Sequence, residues 1–73
     1  MNEEEQIKEL KQQALESYGE NREDAMDTLA AYGEEAIPAL IEIAGEYSKT
    51  DHQKHARKKI REIQENKTNK NDT

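Results

Sequence analysis

The chain has 73 residues, 32% of them hydrophobic and 38% charged, with a formal charge of −6, a pI near 4.9 and no cysteine. That leaves room for one small domain and excludes disulfides and thiolate metal centres, while the low apolar share lies close to disordered composition. No apolar run approaches the roughly 20 residues that cross a bilayer, and the opening "MNEEEQIKEL" is acidic where a secretory signal is basic and then apolar, so a cytoplasmic protein without membrane contact is expected.

Over residues 3–18, Ile7, Leu10, Ala14, Leu15 and Tyr18 recur at the spacing of one helix face, with glutamates in the first turn where the helix dipole favours them. Gly19 reads as the stop of this helix. A second helix is predicted over residues 22–32, with Asn21 as N-cap, Glu23 and Asp24 in the first turn, and a stripe of Ala25, Met26, Leu29 and Tyr32. Gly33 ends it.

The stretch "YGEEAIPALIEIAGEY" is the one densely apolar part of the chain and holds its single proline. A third helix starting at Glu34 or Glu35 puts Pro38 at about its fourth or fifth position, where the missing N–H falls at the edge of the unpaired first-turn donors. Pro38 therefore reads as a start marker. Ala36, Ile37, Ala39, Leu40, Ile41, Ile43 and Ala44 cover more than half of the circumference, which predicts a central helix packed on two sides, with Gly45 at an open boundary. A fourth helix is predicted over residues 52–64, with Asp51 as N-cap, Ala56, Ile60 and Ile63 facing inward, and Lys54, Arg57, Lys58, Lys59 and Arg61 on the other faces. Residues 1–65 form the expected domain, and "NKTNKNDT" from residue 66 is expected to be a disordered tail. The expected core is Ile7, Leu10, Leu15, Met26, Leu29, Ile37, Leu40, Ile41, Ala44, Ala56, Ile60 and Ile63.

"EDAMDTLAAY" from Glu23 and "KHARKKIREI" from Lys54 match at an offset of 31 residues: Ala25 with Ala56, Leu29 with Ile60, Tyr32 with Ile63. A period near 30 built from helix pairs is the mark of an α-solenoid. Here the sequence resembles the HEAT-like repeats of the kind also found in phycobilin lyases. The resemblance lies in "YGEEAIPALIEIA", similar to that family's glycine followed by Ala-Ile/Val-Pro-Ala-Leu-Ile, and continues through Asp51 into the Ala56, Ile60, Ile63 series, covering residues 21–64. It implies an all-α fold of two helical hairpins, residues 3–18 completing the first by position alone, and a non-catalytic scaffold that displays a surface to an unknown protein partner. His55, Arg57 and Lys59 stand where the family has small apolar residues, which makes the last helix read as a terminal cap. Two repeats fall below the roughly three that make a stable array, which leaves a marginal chain, a homodimer, or docking on something larger.

The remaining constellations are weak. His52 and His55 form an H-x-x-H pair, but zinc needs three or four converging ligands and only Asp51 is near, so neither metal nor cofactor is expected. Carboxylate neighbours such as Glu34 and Glu35, or Glu23 and Asp27, read as solvated faces, and Ser17 and Ser48 lack an evident base, so no enzyme is expected. Asn66-Lys67-Thr68 and Asn71-Asp72-Thr73 fit the glycosylation pattern, and without a secretory signal neither reads as a site. Charge is segregated: residues 1–51 hold fourteen acids and four bases, a balance of −10, whereas residues 52–73 hold seven bases and three acids, a balance of +4. Lys54, Arg57, Lys58 and Arg61 share one helix face and are the candidate partner-binding residues. Nucleic acid is the alternative partner, opposed by the acidic pI and by the lack of an aromatic to stack on bases.

Overall fold

The computed structural model describes the backbone of residues 2–71 and the side chains of residues 2–66. Among these residues the chain is all-α: helices α1 (Glu3–Glu16), α2 (Gly19–Ala30), α3 (Ile37–Glu46) and α4 (Asp51–Asn71), with a 3₁₀ turn at Gly33–Ala36 and no strand. Asn2 caps α1 by accepting from the Glu5 N–H at 2.8 Å. The first break falls at Ser17 and Tyr18, both extended, and Gly19 (φ 53°) opens α2 rather than closing α1. Asn21 is accordingly inside α2, and its expected capping role is corrected.

Gly33 (φ 81°) ends the second element as expected, because its left-handed backbone turns the chain into the 3₁₀ segment. That segment absorbs Glu34 and Glu35, so α3 begins at Ile37 and Pro38 is its second residue. A missing N–H there removes nothing the helix uses. The cap of α4 is Thr50, not Asp51: its Oγ1 lies 3.4 Å from the Gln53 N–H and its hydroxyl donates to the Tyr47 carbonyl. Gln53 completes the cap by accepting from the Lys49 N–H at 3.0 Å and donating to the Ala44 carbonyl at 3.1 Å. The backbone of α4 runs past the expected end at Gln64 to Asn71, while most of the expected tail lies outside the residues whose side chains are described.

Consecutive helices pair, α1 with α2 and α3 with α4, and the pairs lie side by side with α1 against α3 and α2 against α4. The smallest extent, 18 Å, is that of two helix layers. Met26, Leu29, Leu40 and Ile43 are fully buried where the four helices meet, joined by Ala14, Ala25, Ala36, Ala39, Ala44, Ala56 and Ile63. The small alanines let the helices approach closely, which is how so apolar-poor a sequence closes a core. Of the expected core, Ile7, Leu10, Leu15, Ile37 and Ile60 are half-buried against it. Ile41 is not core: it is 56% exposed on the side of α3 that no helix covers. Helix α3 does have neighbours on more than one side, α4, α1 and α2, but Ile41 falls on the part of its circumference that none of them covers.

Candidate functional site

Three polar features stand out, and they differ in whether their charges are already spent within the fold. The first is internal. Arg22 is the one buried charged residue among those described, 7% exposed. Its Nε donates to the Ala14 carbonyl at 3.0 Å, Nη2 donates to the Ser17 carbonyl, and the guanidinium lies 3.7 Å from the centroid of the Tyr47 ring. The Tyr47 hydroxyl in turn donates to the Leu15 carbonyl at 2.8 Å, tying α3 to the end of α1. Both cation and aromatic are thereby committed to the fold. No sequence signal marked Arg22, since its partners are backbone atoms of another helix.

The second feature is the seam between α2 and α4. His55 Nε2 donates to Asp27 Oδ1 at 2.7 Å, with Lys59 Nζ 3.4 Å from the same oxygen and 3.4 Å from Glu62. His52 lies 3.9 Å from Glu23, its Nδ1 buried and unbonded, with the ring edge-on to Tyr47. Burial pulls the Asp27 carboxyl upward, but the hydrogen bond from His55 and the charge of Lys59 outweigh it and hold it below the usual range. For Lys59, burial pulls down, and Asp27 and Glu62 more than compensate, leaving it raised. The H-x-x-H pair thus meets two carboxylates one helical turn apart on α2. Among the described residues no group of three or more His, Cys, Asp or Glu is placed to hold a metal ion.

The third feature is the outer face of α4. Lys54, Arg57, Lys58 and Arg61 are all exposed, and none bonds to another described side chain. Among the described residues, every half-buried cation of α4, by contrast, has an acid beside it. The sequence grouping of these four residues therefore corresponds to a solvent-facing basic surface, and Lys59, on the same helix, belongs to the inner seam instead.

At the opposite corner, a shallow groove between α1 and α3 is floored by Ile7, Pro38 and Ala39 and flanked by Glu4, Glu35 and Lys8. Lys11 closes it by pairing with Glu42 at 2.5 Å. The neighbouring Glu35 carboxyl, with which a proton can be shared, then slight desolvation and then the negative charge of Glu35 hold the Glu3 carboxyl above the usual range. Among the described residues no helix is long and apolar enough to cross a membrane.

Compared with known protein families, characterised proteins and solved structures, the chain finds no match. The HEAT-like resemblance accordingly stands on Tyr32 to Ala44 and the Ala56, Ile60, Ile63 series alone.

Proposed function

We propose that this protein is a non-catalytic, HEAT-like helical module of the cytoplasm that docks an acidic protein surface on the outer face of α4. The observation that carries this reading is the contrast in charge use: the half-buried or buried cations Lys11, Arg22 and Lys59 have internal partners, and the four exposed cations gathered on the α4 face have none among the described residues. Exposed charges without internal partners steer and select a complementary surface more than they stabilise the fold. The pairwise stacking of α1 on α3 and α2 on α4 suits two repeats.

The same four cations could instead meet phosphates, and one experiment separates the two. Fluorescence anisotropy is run with a labelled Glu-rich helical peptide and with labelled duplex and single-stranded DNA. The peptide is expected to bind and to lose affinity on Arg57→Ala with Lys58→Ala, while duplex binds no better than about 10⁻⁴ M at physiological salt. Micromolar duplex binding with a salt slope of about −0.9 per phosphate contacted would reverse the assignment in favour of nucleic acid.

A further inference from the structure

The pairs α1–α2 and α3–α4 lie side by side, and the second pair leaves one side uncovered. On α4, His52, His55 and Lys59 turn towards Glu23 and Asp27 of α2. At about 100° per residue, Arg57 and Arg61 lie roughly half a turn round the helix from them, with Ile60 between the arginines and α3. On α3, Pro38, Ala39 and Glu42 line the groove with α1, and Ile37 and Ile41, one turn apart, lie on the other flank. The flank of α3 away from α1 and the flank of α4 away from α2 are the same side of the molecule. That side carries a short apolar strip, with Ile37 and Ile60 half-buried against the core and Ile41 56% exposed. Arg57 and Arg61 rim it, exposed and without a bonded partner among the described residues. Glu34 and Gln64, one turn beyond Ile37 and Ile60, are each already engaged within the chain.

We propose that the acidic partner docks as an amphipathic helix laid along this side, its apolar stripe on Ile37, Ile41 and Ile60 and its bordering carboxylates on Arg57 and Arg61. This rests on the docking role of α4 proposed above and names the form that its partner takes. Two packed helices leave a furrow between them, and a third helix fills such a furrow with side chains spaced every three or four residues. The strip supplies the apolar contact. The arginines supply the selection, because a guanidinium fork takes a carboxylate through two parallel hydrogen bonds. Phosphates would engage the arginines equally well but would leave Ile41 in water.

Fluorescence anisotropy with three labelled peptides of equal length tests it. One has a leucine at every third or fourth position with glutamates beside that stripe; one has the same residues shuffled so that the leucines no longer share a face; one keeps the stripe and carries lysines for the glutamates. The striped acidic peptide is expected to bind about tenfold or more tighter than the shuffled one, the scale of covering one isoleucine side chain. Ile41→Gln, at an exposed position, is expected to remove that advantage and to leave the affinity of the shuffled peptide unchanged. Arg57→Gln with Arg61→Gln is expected to weaken both acidic peptides, and the lysine peptide is expected not to bind. Equal binding of the striped and shuffled acidic peptides, or an advantage that survives Ile41→Gln, overturns the proposal and leaves the docking role of α4 standing. If neither acidic peptide binds, or if the lysine peptide binds as tightly as they do, that docking role falls as well.

Discussion

Arg22 completes the end of a helix that its own sequence leaves open. An α-helix ends with four carbonyls lacking intrahelical donors, and α1 has no basic residue in its last turn. Of the carbonyls of Gln13, Ala14, Leu15 and Glu16, three find donors: the Ser17 hydroxyl, Arg22 and the Tyr47 hydroxyl. Changing Arg22 to Met keeps the apolar stem and strips the donors, and is expected to cost about 1.5–3 kcal/mol in urea unfolding, the range for hydrogen bonds made by a charged group. Arg22→Lys recovers only part, because an ammonium cannot fork to two carbonyls while stacking on Tyr47. A loss below about 0.5 kcal/mol for the Met variant, the size of an ordinary surface change, would contradict this role. Adjacent positions on α3 make a second contrast. Leu40→Ala empties a fully buried site and is expected to cost about 2–5 kcal/mol, whereas Ile41→Ala, on the open side, should stay within about 0.5 kcal/mol. Equal effects at the two positions would mean that something covers Ile41.

Where one helix gives way to the next, local chemistry and tertiary geometry contribute unequally. Gly33 and Pro38 were legible because each acts through its own backbone: one admits a positive φ, the other lacks an N–H. The helix count, the alanine and leucine core and the shared face of the four α4 cations follow from the 3.6-residue period for the same reason. The Thr50 cap was obscured by Asp51, an equally good capping residue one position later. Thr50→Ala is expected to cost about 0.5–2 kcal/mol and Asp51→Ala less, in the same unfolding measurement. Arg22 and the α2–α4 seam were illegible, because their partners come from other elements and no local pattern reports them. The periodicity marks helix α1 itself, while its place in the first hairpin rests on position alone in the sequence; in the fold Tyr32 reaches back to Gln6 at 2.5 Å and Tyr47 to Leu15. Removal of residues 1–17 would uncover Met26 and Leu29 and leave Arg22 without its acceptors. The truncated chain is expected to lose its cooperative melt by circular dichroism, and retention of that melt would make α1 an appendage.

At the scale of the whole molecule, the uneven distribution of charge sets how stability responds to pH. Glu3 titrates above the ordinary carboxylate range in the fold, since a proton shared with Glu35 relieves the crowding of two carboxylates. The folded chain therefore holds that proton more tightly than the unfolded one, and stability rises as pH falls from neutral through the raised value towards the unfolded value of about 4.3. Asp27 works in the opposite sense. Its depressed folded value means that its pairing with His55 and Lys59 is fully present above the unfolded value of about 3.9 and is lost as pH falls through the lower, folded one. Lys59, raised in the fold, contributes below its unfolded value of about 10.4 and loses that contribution as pH rises through the folded one. The contributions of Glu3 and Asp27 taken together are greatest on the acidic side of neutrality, above the acid limb set by Asp27. Melting curves are expected to show that contribution as a local maximum there. In Glu35→Gln the rise from neutral towards that maximum should flatten, because the neutral amide no longer repels Glu3. In Asp27→Asn the acid limb should lose the part that the seam contributes while the rise remains. A Glu35→Gln protein that kept the full rise would place its origin elsewhere than in the pair at the head of the α1–α3 groove.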